Sequence, residues 1–148
     1  MKDSIMKNKI VLAFDMQTEL LLILEEEILN KCPEYRLDIA STCEDARQLM
    51  LMFTYDLVVS DIMTFPGSGL ADLTLTSDIP VLILSNNAMN PEAMSQFNAL
   101  NIKTFLSKKD IYNIVPVIEQ VLNSEDLPNW KQDLEKVWNF SSLISPGH

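Results

Sequence analysis

Four polar residues that could act together in phosphoryl transfer each come directly after a short apolar segment: Asp15, Asp61, Ser85 and Lys108. Two carboxylates close together can hold Mg²⁺, which prefers oxygen ligands. One of the carboxylates can also attack phosphorus and form an acyl phosphate. The metal, the lysine and the hydroxyl would then neutralise the charge on the equatorial oxygens. These residue types predict phosphoryl transfer to a carboxylate, provided that the fold brings them together.

The apolar segments before these residues are typical of strands buried on both faces of a parallel sheet. Strands are predicted at 9–14, 56–60, 80–84 and 103–107, with a weaker edge strand at 35–40. Helices are predicted at 17–30, 41–53, 92–100 and 110–123, with a short, poor helix at 70–77. This alternation predicts an α/β fold with a doubly wound parallel sheet. Because ligands bind such sheets beyond the carboxyl ends of the strands, the four polar residues should share one edge.

The predicted helix ends rest on particular polar residues. Ser41 and Glu44 have the spacing of a capping box at the start of the second helix. Asp110 is predicted to cap the last helix of the domain, which must accommodate Pro116 by a kink or a late start. Asp15 has a second interpretation, because it could simply cap the helix that starts near Gln17.

The pattern changes after residue 123, which predicts a domain at 1–123 and a C-terminal helix and tail at 124–148. Trp130, Leu134, Val137 and Trp138 have helical spacing within this segment. The extra helix either folds back on its own domain or forms a homodimer or partner interface. A third alternative is that the chain is a fragment, with an output domain beyond its last residue.

Composition narrows the function classes. The chain has 148 residues, which suits one domain, and a formal net charge of −10, which opposes direct contact with nucleic acid or an anionic membrane. No signal peptide and no apolar run long enough to cross a bilayer are recognisable. We therefore expect a cytoplasmic protein in which Cys32 and Cys43 are reduced thiols.

Residues 9–123 resemble the receiver domains of two-component response regulators. Asp61, in Tyr-Asp-Leu-Val-Val-Ser-Asp-Ile-Met, matches the phosphoacceptor of that family, and Asp15 matches one of its acidic pair. Ser85 and Lys108 match the switch hydroxyl and the lysine of the family. The resemblance further implies a flavodoxin-like, five-stranded sheet in the order 2-1-3-4-5. It also implies that Mg²⁺ is held by the two aspartates and a backbone carbonyl of Met63, and that Phe105 is an aromatic switch.

Three features depart from the family pattern. Phe14 replaces the other member of the acidic pair, and Pro66 comes one position later than the family's proline. Lys109 replaces the proline that follows the lysine, whose peptide bond is typically cis in the family. A cis bond before a residue other than proline costs about 2.5–4 kcal/mol, so we expect a trans or strained bond here.

The leading hypothesis is a response-regulator receiver that accepts a phosphoryl group from a histidine kinase or phosphotransfer protein on Asp61. Conformational switching would then signal to a downstream protein, without enzymatic activity beyond Mg²⁺-dependent self-phosphorylation. Phe14 and Lys109 favour the alternative, a pseudo-receiver that acts as a protein-interaction module without phosphorylation. A flavodoxin-type cofactor protein would need a phosphate-binding loop after the first strand, and Asp-Met-Gln-Thr is a poor one.

Overall fold

The computed structural model describes residues 8–61, 69–86 and 102–123. Their strands are β1 (Ile10–Phe14), β2 (Arg36–Ala40), β3 (Leu57–Asp61), β4 (Val81–Ser85) and β5 (Ile102–Ser107). The helices are α1 (Thr18–Lys31), α2 (Cys43–Met52), α3 (Leu70–Thr76), a 3-10 helix (Lys108–Asn113) and α4 (Ile114–Asn123). The predicted strands and helices in these ranges are confirmed, with ends that differ by one or a few residues. The predicted helix at 92–100 and the segment 124–148 lie outside the described residues.

The five strands form one parallel sheet in the order β2-β1-β3-β4-β5. This confirms the doubly wound topology and the predicted edge position of β2. Strand order reverses between β1 and β3, which is the position where open α/β sheets bind ligands. Asp15 follows β1 and Asp61 ends β3, so both acids lie at this position.

Both faces of the sheet are covered by helices, because successive side chains of a strand point to opposite faces. Val11 and Ala13 of β1 join a buried cluster with α1 and α4, whereas Leu12 and Phe14 join a second cluster with α2 and α3. Strands β3 and β4 are buried along their whole length. The apolar runs in the sequence therefore reflect strands with a hydrophobic core on each side.

Two predicted caps are wrong by a few residues. Thr42, rather than Ser41, is the N-cap of α2, and its hydroxyl accepts a hydrogen bond from the backbone N–H of Asp45 at 3.1 Å. Asp110, the predicted cap of the last helix, lies inside the 3-10 helix; Ser107 caps that 3-10 helix, and its hydroxyl accepts from the N–H of Lys109 at 3.2 Å. In both places several residues capable of capping lie close together, so their types alone do not decide which one is used.

Pro116 fits because α4 starts late. The 3-10 helix ends at Asn113, and Pro116 is the third residue of α4, in the first turn. Backbone N–H groups of a first helical turn have no partner within the helix, so the missing N–H of proline breaks no helical hydrogen bond. Of the two alternatives expected from the sequence, a kink or a late start, the structure has the late start.

Gly69 is the N-cap of α3 and has a left-handed backbone, with φ of 83°. A β-carbon on Gly69 would lie 3.0 Å from the Cδ atom of Arg47, a residue of α2. Glycine is thus favoured here both by backbone conformation and by the close approach of a side chain. No helix among the described residues has the length and apolar character needed to span a bilayer.

Candidate functional site

Lys108 joins the two aspartates at the carboxyl edge of the sheet. Its Nζ atom lies 2.7 Å from Oδ1 of Asp61 and 2.9 Å from Oδ2 of Asp15. The three side chains are nearly inaccessible, at 9% exposure for the lysine, 8% for Asp61 and 2% for Asp15. The structure therefore brings together three of the four polar residues predicted from the sequence.

The backbone around Asp15 fixes its carboxylate. The N–H of Asp15 donates to the carbonyl oxygen of Ala40 at 3.2 Å, which ties the end of β1 to the end of β2. Oδ1 of Asp15 accepts a hydrogen bond from the N–H of Gln17 at 2.8 Å, leaving Oδ2 directed at Lys108. The N-cap of α1 is Gln17, so the interpretation of Asp15 as the helix cap is wrong; Oδ1 of Asp15 accepts from the residue that precedes the helix, and Oδ2 forms the ion pair with Lys108.

Sequence reasoning missed Gln17 as part of the site. Its side-chain Oε1 accepts a hydrogen bond from Nζ of Lys108 at 2.8 Å. An ammonium group has three N–H donors, and Lys108 has three acceptors within 3 Å in Asp15, Asp61 and Gln17. The only sequence signal was its position two residues after Asp15, where the chain turns from β1 into α1.

The charges of the site raise the pKa of Lys108. Burial alone would lower it, but the hydrogen bonds and charges of Asp61 and Asp15 outweigh burial and raise the pKa above 10.5, the ordinary value. The lysine is therefore an ammonium at neutral pH. Together with two carboxylates it gives the cluster a formal charge of −1.

Ser85 and Phe105 lie near the same edge on the neighbouring strands. Ser85 ends β4 and is 5% exposed, and its predecessor Leu84 is the register partner of Asp61. Phe105 of β5 is partly buried and packs against the cluster that contains α2 and α3. The predicted metal ligand Met63 and the displaced Pro66 lie outside the described residues.

Phe14 belongs to the core. It is completely buried and packs in the cluster of α2 and α3. Ser60 is its register partner on β3 and is also fully buried, and the Ser60 hydroxyl has no hydrogen-bond partner among the described residues. The side chain at position 14 therefore contributes to the hydrophobic core and supplies no oxygen atom to the acidic site.

The donor types at the site fit a divalent cation. Mg²⁺ is bound in proteins by one or two carboxylates, with water and phosphate oxygens completing its coordination. Asp15 and Asp61 supply two such carboxylates, although no cluster of three or more acidic, histidine or cysteine residues occurs in the described ranges. The Lys108 ammonium lies between these carboxylates, so a cation bound to both would compete with it.

The peptide bond between Lys108 and Lys109 is trans, since the described residues contain no cis peptide bond. Of the two alternatives expected from the sequence, a trans bond or a strained one, the structure has the trans bond. Ser107 caps the turn at this point, and the chain enters the 3-10 helix directly at Lys108. The site lysine is thus held at the junction between β5 and a helix.

Solved structures of receiver domains share this fold. The receiver domain of an HD-domain protein from Pseudomonas fluorescens Pf-5 has a TM-score of 0.67 and 22% identity, covering 80% of this chain and 97% of that chain. The chemotaxis protein CheY4 of Vibrio cholerae has a TM-score of 0.67 and 18% identity, covering 76% and 98%. A LuxR-family response regulator from Aurantimonas sp. has a TM-score of 0.66 and 20% identity, covering 90% and 99%.

By sequence, no family model and no curated protein matches the chain. The likeness to solved structures therefore concerns the fold. The chain has the fold of a response-regulator receiver domain, with two buried aspartates and a lysine clustered at the carboxyl edge of its parallel sheet.

Proposed function

We propose that this chain is a receiver that takes a phosphoryl group from a histidine kinase or phosphotransfer protein onto Asp61. The observation that carries the proposal is the 2.7 Å ion pair between Asp61 and Lys108 beside Asp15, at the point where strand order reverses. Asp61 ends the middle strand of the sheet, so its carboxylate is held by a rigid element. Precise placement is most of what phosphoryl transfer to a carboxylate requires of a protein.

The reaction forms one bond and breaks one. An oxygen of the Asp61 carboxylate attacks the phosphorus of a phosphohistidine and gives an acyl phosphate. The phosphorus–nitrogen bond breaks, its electron pair stays on the imidazole nitrogen, and that nitrogen takes up a proton. The Lys108 ammonium is close enough to Asp61 to neutralise charge on the transferred oxygens, and the Ser85 hydroxyl would contact the phosphoryl group from the next strand.

Mg²⁺ would add charge neutralisation at the transferred group. Asp15 and Asp61 would hold it, with the backbone carbonyl of Met63 as the further ligand expected from the resemblance to the family. Because Phe14 removes one acidic position, we expect the affinity for Mg²⁺ to be weak. The chain would consume a phosphodonor only in modifying itself, so we do not class it as an enzyme.

The signal would leave the domain as a change in a protein-interaction surface. Phosphorylation needs only to favour one of two conformers, with Ser85 and Phe105 linking the site to the surface. A downstream protein would recognise that surface in the cytoplasm, where the donor kinase acts. The net charge of −10 argues against direct binding to nucleic acid.

A pseudo-receiver that binds partners without phosphorylation is the second candidate. Two observations favour it: Phe14 is fully buried where an acid would be, and Lys108 already forms ion pairs with both aspartates. A stable ion-paired site of this kind could serve as structure alone.

Intact-protein mass spectrometry distinguishes the two candidates. The protein would be incubated with a small-molecule phosphodonor, with and without Mg²⁺, beside an Asp61→Asn variant and a receiver known to be labelled. A Mg²⁺-dependent phosphoryl adduct that the variant lacks supports the receiver. No adduct on folded protein, while the reference receiver is labelled, supports the pseudo-receiver.

A further inference from the structure

Gln17 has an unusual position at the start of α1. It is the N-cap of that helix, yet its side chain makes no capping hydrogen bond. Short polar side chains such as serine, threonine, asparagine and aspartate are preferred at N-caps because they reach the free N–H groups of the first turn. The longer glutamine side chain instead reaches across the sheet edge to Lys108.

The backbone of Gln17 is held on both sides. Its N–H donates to Oδ1 of Asp15 at 2.8 Å, and its carbonyl oxygen accepts from the N–H groups of Leu20 and Leu21 at 3.1 and 3.3 Å. The side chain takes no part in these backbone hydrogen bonds. Its Oε1 lies 2.8 Å from Nζ of Lys108 and supplies the third acceptor of that ammonium.

The three acceptors fix where the lysine stands. With only Asp15 and Asp61 as partners, the ammonium could turn away from both toward solvent and leave the two carboxylate oxygens to another cation. The contact with Gln17 opposes that movement, because it gives the ammonium a hydrogen bond in the bridging position. A divalent cation that binds both carboxylates must therefore displace Lys108 from Gln17 as well.

We propose that Gln17 is a positioning residue that holds Lys108 over the acid pair and so lowers the affinity of the site for a divalent cation. The inference rests on the proposed function in one respect, namely that Asp15 and Asp61 can bind a cation. It adds that α1 carries a side chain that sets how readily this happens. Metal binding can be measured without any phosphodonor. The proposal for Gln17 can therefore fail while Asp61 is phosphorylated, and it can hold while Asp61 is not phosphorylated.

The test compares Mn²⁺ affinities, measured from the electron paramagnetic resonance signal of free Mn²⁺. Gln17→Met keeps the length of the side chain but removes the acceptor, and Gln17→Ser offers α1 a side-chain cap that cannot reach Lys108. Both should bind Mn²⁺ about three- to tenfold more tightly than the unaltered protein, the range expected for one lost hydrogen bond. Thr18→Ala, at the exposed first residue of α1, is the matched control and should leave the affinity unchanged.

The two substitutions should change the stability of α1 in opposite directions. If Gln17 had a purely structural role, Mn²⁺ affinity would follow stability and also change in opposite directions, whereas the proposal predicts tighter binding in both variants. In a Lys108→Met background, Gln17→Met should have no further effect, because the ammonium that it releases is gone. Unchanged or weaker binding in both Gln17 variants would overturn the proposal, and so would an absence of Mn²⁺ binding in all of these proteins. Circular dichroism of each variant verifies the fold, and the two single Gln17 variants decide the matter if the Lys108 background does not fold.

Discussion

Lys108 and Asp61 form an ion pair of 2.7 Å although their strands do not touch, because β4 lies between β3 and β5. The lysine follows the end of an edge strand and reaches over the sheet edge to the acid of the middle strand. It also reaches Asp15, beyond the end of β1. One ammonium thus connects the ends of three strands, so the site is both a chemical cluster and a tertiary contact.

Replacing Lys108 should therefore affect stability. Lys108→Met leaves two buried carboxylates without their shared cation, and breaking such a pair costs about 3–5 kcal/mol of the free energy of unfolding. Urea denaturation at pH 7 would measure the loss. Added Mg²⁺ should recover more stability in this variant than in the unaltered protein, because the metal can take the place of the missing charge.

Lys109→Met is the matched control for that experiment. Lys109 is the next residue along the chain and is exposed, so its loss should change stability by less than about 0.5 kcal/mol. An equal loss in both lysine variants would show that general charge, and not the ion pair with Asp15 and Asp61, supports the fold.

Phe14 should resist conversion to an acid. The side chain is fully buried in the cluster of α2 and α3, so Phe14→Asp removes apolar contacts and buries a polar group. We expect a loss of about 3 kcal/mol or more in the free energy of unfolding. Phe14→Leu keeps an apolar side chain and should cost roughly half as much or less.

The outcome bears on how this site departs from the receiver pattern. Equal stability of the Phe14→Asp and Phe14→Leu variants in urea would contradict the interpretation of Phe14 as a core residue, because it would mean that the aspartate has turned out of the core. Tighter Mn²⁺ binding by Phe14→Asp than by Phe14→Leu would then show that the aspartate has turned toward the acid site.

Two buried hydroxyls offer a comparison of satisfied and unsatisfied groups. Ser60 has no hydrogen-bond partner among the described residues, whereas the hydroxyl of Thr74 donates to the carbonyl oxygen of Ala71 at 2.9 Å. Ser60→Ala should leave stability unchanged or raise it by up to about 1 kcal/mol, because no bond is lost. Thr74→Val should lower stability by about 1 kcal/mol.

Thermal unfolding of the two variants under the same conditions is the measurement. A loss of stability in Ser60→Ala as large as that in Thr74→Val would show that the Ser60 hydroxyl is hydrogen-bonded after all. It would also mean that a hydrogen-bonded polar group, and not an unsatisfied one, lies opposite Phe14, the register partner of Ser60 on β1.

The described fold should lose stability in alkali. The Tyr55 hydroxyl donates to Oδ2 of Asp38 at 2.6 Å, and burial, followed by this hydrogen bond, raises the pKa of Tyr55 above its ordinary value of 10.0. Burial likewise raises the pKa of Tyr35. A raised folded pKa gives stability that is complete below the unfolded pKa, so the free energy of unfolding should fall as pH rises above 10.

The Tyr55→Phe variant measures the contribution of Tyr55 to this pH dependence of the free energy of unfolding. The variant should be less stable at pH 8 by about 1 kcal/mol, since a hydrogen bond to a carboxylate is lost. The difference from the unaltered protein should shrink as pH rises to about 11, because the tyrosine itself loses its advantage there. Tyr112→Phe, at an exposed position, is the control, and a constant difference across this range in Tyr55→Phe would contradict the interpretation.

Much of the fold could be predicted from the sequence, because short apolar runs separated by polar segments are typical of the buried strands of a parallel sheet. Asp15, Asp61 and Lys108 were predicted to meet because the carboxyl ends of parallel strands share one edge. The parallel topology alone places these residues at one edge, whatever their side-chain conformations. The topology does not determine the 2.7 Å and 2.9 Å contacts of a single bridging ammonium.

The side-chain contacts could not be predicted where several similar polar groups compete for the same partner. Gln17 contacts Lys108 through a flexible side chain, and several polar residues of the sequence could have served the same purpose. Thr42 caps α2 beside Ser41, which has a hydroxyl of the same kind. Such choices differ by about 1 kcal/mol, which residue type alone does not resolve.

The most direct test of the central claim is to find which residue carries the phosphoryl group. After incubation with a phosphodonor and Mg²⁺, borohydride would reduce an acyl phosphate to an alcohol, and peptide mass spectrometry would locate the reduced side chain. The account predicts reduction at Asp61 alone and none in the Asp61→Asn variant. Reduction at Asp15, or labelling of folded protein at any residue that persists in Asp61→Asn, would contradict it.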